Sequence, residues 1–259
     1  MPNRLPGLIA SLRSRNAAAD WQRAAEAGET VDIGALAKLA PLARDLARHA
    51  GEVARVSEMR LSGASAAQRI DRPPQCDWAW RPAPWAAALP PSTRAGVRGG
   101  DTLTEGVTLF HDCPLAEITL RQVQASDPGA PAPYVLEMDA LGFAGSFLSL
   151  AMDLPKDGAK TLQRSHIVGL STTVWMEREA EIFARLNIRQ GPNTEQLVSE
   201  LKPGERPDSP VTAEFDLGFH DIKPAKLDHA WIDLIFDKPQ MNLVRIADLT
   251  LTRRPRADI

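Results

Sequence analysis

The sequence lacks any long uninterrupted run of apolar residues, because charged residues break each of its apolar stretches. A membrane-spanning helix needs about 18 such residues in a row, so no membrane span is expected. The first apolar run, at positions 8–10, is also much shorter than the roughly 7 to 15 residues of a signal-peptide core. We therefore expect the protein to be made in the cytoplasm and to have no signal peptide.

Cysteine is scarce, and neither sign of charge is in clear excess. The two cysteines, Cys76 and Cys113, form no C-x-x-C pair, so neither a zinc site nor a disulfide framework is indicated. The 30 basic residues are scattered among 33 acidic ones, for a net charge of −3. This balance leaves no positive field to hold a polyanion. We expect reduced thiols, no cofactor and no direct contact with nucleic acid.

Good helix formers dominate the N-terminal part of the chain. Positions 8–27 are rich in Ala, Arg, Leu, Gln and Glu, and Gly28 follows where a helix C-terminal cap would lie. Asp32 is a suitable N-cap for a second helix, in which Pro41 should cause a kink or start a new helix. Residues 1–61 are therefore predicted to form an α-helical N-terminal arm.

One face of the second predicted helix carries apolar residues at helical spacing. This stripe contains more Ala than Leu, so it buries only a modest apolar area on its own. Either the C-terminal domain or another subunit could cover it. We predict that the stripe binds a partner through its larger side chains: Ile33, Leu36, Leu42, Leu46 and Val53.

Residues 62–100 form a connector with a different composition, rich in proline and tryptophan. The prolines exclude a continuous helix and confine any strand to a sheet edge. Three of the six tryptophans, Trp78, Trp80 and Trp85, fall within this segment. They are candidates for anchoring the connector.

From residue 101 to residue 259 the apolar period changes from 3.6 to 2, which is typical of strands. Ile232, Leu234 and Phe236, for example, alternate with polar residues. Several such stretches are separated by Gly-, Pro- and Asp-rich turns, and a shift of phase at Ala247-Asp248 indicates a β-bulge. The pattern predicts a mainly β protein: an antiparallel, jelly-roll-like β-sandwich preceded by the helical arm.

No catalytic or metal motif stands out. His111 and His220 lie at the ends of predicted strands, but they share no metal-ligand spacing with His166 or His229. A G-x-S-x-G nucleophile elbow is also missing. We predict no catalytic, cofactor-binding or metal-binding residue, and we do not expect an enzyme. An enzyme on a sandwich scaffold, which would need these histidines to converge, is the weakest alternative.

In their strands, Trp175 and Trp231 occupy the positions that alternate with the apolar residues, so both should point away from the core. Outward tryptophans can stack on the rings of a glycan or form the centre of a protein interface. Alternatively, the connector could fold over the sheet and bury them. We treat Trp175 and Trp231 as candidate partner-binding residues.

Three segments of the C-terminal half, 183–196, 230–236 and 248–256, resemble a family of uncharacterised alphaproteobacterial proteins. One branch of that family is similar to the base protein of head spikes on gene transfer agents, which are phage-like particles that package host DNA. The resemblance covers most of the chain and includes no functional motif.

The resemblance implies a structural adaptor of a virion-like particle, with no residue roles to transfer. The arm would engage the capsid protein or neighbouring subunits of a homo-oligomer. The sandwich would carry a spike fibre protein that contacts cell-surface polysaccharide. Such particles leave the cell after assembly, which would place the protein outside without a signal peptide. The alternative function is a glycan-binding β-sandwich module.

Overall fold

The computed structural model describes residues 15–68, 70–127, 129–202 and 209–256. The chain divides into two compact units, Met1–Arg55 and Val56–Ile259. Two α-helices come first, α1 (Arg15–Ala27) and α2 (Ile33–Gln68). Part of the first predicted helix, at positions 8–14, lies outside the described residues. No helix among the described residues is long and apolar enough to cross a membrane.

Helix α2 begins where the sequence predicts. The Asp32 carboxylate accepts hydrogen bonds from the backbone N–H groups of Gly34 (2.9 Å) and Ala35 (3.3 Å), which confirms it as the N-cap. Pro41 does not start a new helix, because α2 runs through it without interruption. The helix also continues past the predicted end of the arm at residue 61, since the next proline is Pro73 and residues 64–68 are mostly alanine.

Every strand found among the described residues lies in the second unit. In the connector the strands are β1 (Trp78–Trp80) and β2 (Thr93–Ala95), with a short helix α3 (Ala83–Ala86) between them. The remaining elements are β3 (Asp101–Thr104), β4 (Val107–His111), β5 (Glu117–Gln124), β6 (Tyr134–Gly142), β7 (Phe147–Asp153), α4 (Lys156–Ala159), β8 (His166–Met176), β9 (Glu181–Gln190), β10 (Asn193–Leu201), β11 (Val211–Asp216), 3-10 turns at Leu217–Phe219 and Pro224–Lys226, β12 (Leu227–Asp237) and β13 (Asn242–Pro255).

The strands form two sheets in which the paired strands are antiparallel. One sheet has seven strands in the order β11-β8-β13-β6-β5-β2, with β1 paired to β13, and the other has six in the order β10-β9-β12-β7-β4-β3. The predicted mainly β, antiparallel sandwich is therefore confirmed. The register of β13 against β8 shifts between Ile246 and Asp248, which confirms the predicted bulge.

Inward-facing side chains from both sheets form one hydrophobic core. Leu150 and Leu234 of the six-stranded sheet and Leu249 of the seven-stranded sheet have no exposed surface. Trp85 of the connector is also completely buried in this core, and its indole N–H donates to the carbonyl oxygen of Ile246 at 2.8 Å. Buried aromatic and aliphatic surface of this kind is the main stabilising contribution to the sandwich.

Polar side chains fasten the connector to the rest of the second unit as well. Arg81 forms two hydrogen bonds to Asp248, at 2.7 and 2.9 Å. Gln122 donates to the carbonyl oxygens of Pro84 and Ala87 at 2.8 and 2.7 Å. The connector is thus part of the packed sandwich. The predicted pairing of connector strands at sheet edges agrees with the structure, since β1 and β2 each pair with a single strand.

Candidate functional site

The outer face of the six-stranded sheet carries a group of aromatic, charged and aliphatic side chains. Along β12, Ile232, Leu234 and Phe236 point into the core, so Trp231, Asp233 and Ile235 point outward. The same alternation that builds the core therefore places an aromatic ring, a carboxylate and an aliphatic side chain on one exposed face.

Strand pairing decides which outward residues become neighbours. Trp231 lies opposite Asn187 of β9 and Asp153 of β7, and Asp233 lies opposite Arg185 of β9. In the next row, Ile235 pairs with Ser149 of β7, which in turn pairs with Phe110 of β4. Residues directly opposite each other in an antiparallel pair have Cβ atoms about 5 Å apart and interact.

Together these residues enclose a cleft of about 370 Å³ on the outer face. Four strands contribute to its lining: Phe110, Phe147, Ser149, Arg185, Trp231, Asp233 and Ile235. Phe110 is 44% exposed, and Trp231 and Phe147 are half-buried, so their rings are accessible to a ligand. The cleft combines aromatic surface with a polar floor.

The polar floor is held in a fixed arrangement. Asp233 is only 3% exposed, and its Oδ2 atom accepts hydrogen bonds from Nε of Arg185 and Nδ2 of Asn187, both at 2.9 Å. Nη2 of Arg185 lies 2.7 Å from the same oxygen. Asn187 Oδ1 accepts from the Gln196 side chain at 3.0 Å. The Arg185 side chain is 36% exposed, so these bonds hold its guanidinium group in a fixed, preorganised position at the surface of the cleft.

Trp231 has a second ring beside it. The His229 ring stacks on the Trp231 ring, with centroids 5.4 Å apart and an interplanar angle of 25°. Nε2 of His229 lies 2.9 Å from Oδ1 of Asp153, which fixes the plane of the imidazole. The stacking and the contact with Asp153 together hold the Trp231 ring in one orientation.

The phenylalanines at the opposite end of the cleft are positioned by Asp112, which follows β4. Its carboxylate accepts hydrogen bonds from the Ser146 hydroxyl (2.6 Å) and from the backbone N–H groups of Ser146 (2.7 Å) and Phe147 (3.3 Å). These bonds, first that of the Ser146 hydroxyl, hold the pKa of Asp112 below its ordinary value. The end of β4, which carries Phe110, is thus joined to the start of β7.

The other predicted tryptophan lies elsewhere. Trp175 belongs to β8 of the seven-stranded sheet, where it is 40% exposed and lies opposite Arg245 of β13. The expected outward orientation is observed for Trp175 and Trp231, but the two rings lie on different sheets and do not form one row. In the connector, Trp78 and Trp80 stack on each other and pack against the core.

The predicted stripe on α2 is largely accessible in the described chain. Ile33 is 82% exposed, Leu42 63%, Leu46 46% and Val53 60%, whereas Leu36 is half-buried. Whether a partner covers these side chains stays a prediction.

The histidines have separate environments. The imidazole of His111 contacts the carbonyl oxygen of Val97 and the backbone N–H of Cys113, and that of His166 accepts from the backbone N–H of Gln163. No group of three His, Cys, Asp or Glu side chains that could hold a metal ion occurs among the described residues.

Sequence reasoning missed Phe110, Phe147, Arg185 and Asp233 as site residues. The alternation along each strand shows that these residues face outward, but this is weak evidence for a site because many other surface positions also face outward. Only the order of β4, β7, β12 and β9 in the sheet shows that these particular positions are neighbours.

The chain belongs to a family of unknown function, DUF6478, whose pattern it matches over residues 1–259. No curated protein matches it in sequence.

Among solved structures, it is similar to the enzymatically active domain of tailspike protein 4 from bacteriophage CBA120, with 8% identity and a TM-score of 0.39 over 62% of this chain and 21% of that one. It is also similar to the family 11 carbohydrate-binding module of Clostridium thermocellum, with 13% identity and a TM-score of 0.37 over 60% of this chain and 92% of that one. A third similar structure is the CBM22-2 xylan-binding domain of Paenibacillus barcinonensis Xyn10C, with 11% identity and a TM-score of 0.37 over 60% of this chain and 96% of that one. The chain thus spans about a fifth of the tailspike chain, and likenesses at these TM-scores carry no functional conclusion.

Proposed function

We propose that this member of the DUF6478 family binds a glycan chain in the cleft on the outer face of its six-stranded sheet. The observation that carries the proposal is the combination of accessible Trp231 and Phe110 rings with a fixed polar floor at Asp233 and Arg185. Sugar rings have apolar C–H faces that stack on aromatic rings and hydroxyl groups that hydrogen-bond to carboxylate and guanidinium groups.

The spacing of the aromatic residues favours an oligosaccharide over a single sugar. Ile235 is level with Phe110 through the pairing with Ser149, and Trp231 lies four residues before Ile235 on the same strand. Four residues at about 3.3 Å and two strand spacings of about 4.8 Å separate the two backbone positions by roughly 16 Å. A chain of sugars can extend along the cleft between these two positions and contact both aromatic side chains.

We also propose that the site binds its ligand without cleaving it. Glycoside cleavage normally requires one carboxyl group that gives a proton to the leaving oxygen. Asp233, the carboxylate on the cleft floor, already accepts hydrogen bonds from Arg185 and Asn187. Cleavage also requires a second carboxyl group facing the first, and Asp233 is the one carboxylate among the described residues that line the cleft.

The test is binding of the full chain to a panel of polysaccharides, measured by affinity electrophoresis and calorimetry, with assay of released reducing ends. Contacts of an aromatic ring are worth about 0.5 to 1.5 kcal/mol beyond the area that they bury. Trp231→Ala should therefore weaken binding by about tenfold. Trp175→Ala is the matched control, because it removes an outward tryptophan from the other sheet and should leave binding unchanged. Equal binding by both variants, or no binding by the wild type, would refute the proposal.

A second role is supported by a different part of the chain. The exposed Ile33, Leu42 and Leu46 side chains of α2 place apolar surface in water, which is unfavourable unless a partner covers it. We propose that the arm attaches the protein to other subunits or to a capsid protein, as in the head-spike base of a gene transfer agent released from the cell. The sandwich would then hold a fibre protein.

Light scattering of the purified chain, together with detection of the chain in purified particles, tests this role. Oligomers that dissociate on Leu42→Glu substitution, but not on Arg44→Glu substitution, would support it. A chain that is monomeric at high concentration and absent from particles would refute it.

A further inference from the structure

The outward charges around the cleft are mostly negative. On β7, β9 and β12 the outward-facing acidic residues are Asp153, Glu181, Asp233 and Asp237. The Asp153 and Asp237 side chains are 51% and 41% exposed. Asp237 and Glu181 lie directly opposite each other across β12 and β9, so one end of the cleft carries two adjacent carboxylates.

The two arginines on the same face already have carboxylate partners. Arg185 pairs with Asp233 at 2.7 Å, and Arg189 pairs with Asp228 at 2.6 Å. Lys238, at the end of β12, lies 3.8 Å from Asp237. Among the described residues of β7, β9 and β12, each arginine therefore has its charge balanced by a neighbouring aspartate.

Recognition of an acidic sugar usually requires arginine or lysine free to pair with its carboxylate or sulfate. Here a sugar carboxylate would compete with Asp233 for Arg185, and it would lie near Asp153 and Asp237 within the screening length of about 10 Å at 0.1 M salt. A neutral sugar needs only stacking and hydrogen bonds, and it is unaffected by these charges.

From this arrangement we infer that the ligand of the cleft is a neutral glycan and that acidic polysaccharides are excluded. The inference rests on the proposed glycan-binding function and names the class of glycan. The residues that exclude the acidic polymers flank the aromatic rings and are separate from them.

The test compares the full chain on neutral polymers (xylan, mixed-linked glucan and mannan) and on acidic ones (polygalacturonate and alginate), at low and at high salt. Binding to at least one neutral polymer should depend on Trp231 and change little with salt, whereas the acidic polymers should not be retained at low salt. Asp237→Lys should increase retention on acidic polymers several-fold at low salt, with neutral binding unchanged. Glu214→Lys makes the same charge change on the seven-stranded sheet and should have no effect.

Two kinds of failure can be told apart. Trp231-dependent binding that is stronger for acidic than for neutral polymers, and that falls as salt rises, would overturn the inference and leave the proposed function intact. Binding that is independent of Trp231, or no binding to any polymer of the panel, would overturn both.

Discussion

The ion pair between Arg81 and Asp248 offers a sharp test of how the connector is held in the sandwich. Arg81 Nε and Nη2 donate to the two Asp248 carboxylate oxygens at 2.7 and 2.9 Å, and the two side chains are 2% and 13% exposed. Asp248→Ala would remove the carboxylate that accepts both of these hydrogen bonds from the buried guanidinium group. Removing one partner of such a buried pair typically costs about 3 to 5 kcal/mol of unfolding free energy, a large part of the stability of a domain.

The measurement is urea denaturation of the wild type and the variant, with the midpoint and the slope fitted separately. Glu214→Ala is the matched control, because Glu214 pairs at 3.1 Å with Arg254, which lies on the same strand as Asp248, but the Glu214 and Arg254 side chains are 61% and 28% exposed. That change should cost less than about 1 kcal/mol.

A third variant shows whether the lost stability comes from the charge that has lost Asp248 as its ion-pair partner or from lost packing. Arg81→Met combined with Asp248→Leu removes both charges and keeps apolar volume, so it should recover most of the loss caused by Asp248→Ala. The reasoning would be refuted if Asp248→Ala and Glu214→Ala reduced the unfolding free energy equally.

Two further predictions concern pH and chain length. Burial, followed by the nearby Arg253 charge, holds the pKa of His166 below its ordinary value of 6.5, so the folded state binds fewer protons than the unfolded state. The free energy of unfolding that neutral His166 contributes is fully present above pH 6.5 and is lost as the pH falls through the pKa of the folded state. The Tm should therefore fall on acidification. His166→Gln should make the Tm depend less on pH. A fragment of residues 70–256 should unfold cooperatively on heating, whereas one of 101–256, which lacks Arg81 and Trp85, should not; equal Tm values for the two fragments would contradict this.

The polar–apolar alternation explains why much of the fold is readable from the sequence. A period of two places Ile232, Leu234 and Phe236 on one face of β12 whatever its neighbours are, so the strand and its buried face follow from local sequence. The bulge near Asp248 is visible for the same reason, since an extra residue changes the phase. The outward orientation of Trp175 and Trp231 also follows from the phase alone.

The cleft could not be predicted in this way, because strand order is not a local property. Phe110 and Trp231 are far apart in the sequence and face the same cleft only because β4 pairs with β7 and β7 pairs with β12. The same sheet order separates Trp175 from Trp231. The buried Asp233 of β12 depends on hydrogen bonds from Arg185 and Asn187 of β9. The sequence of β12 does not show that β9 is its neighbour.

The sequence by itself determined the mainly β character, the N-cap at Asp32, the outward phase of the tryptophans and the apolar stripe along one face of the second helix. Each of these depends on a residue and its near neighbours along the chain. The tertiary structure alone decided that a proline-rich connector packs into the sandwich through Trp85 and Arg81. It also decided that aromatic and charged residues from four strands meet in one cleft, since contacts between distant segments arise from packing the whole core at once.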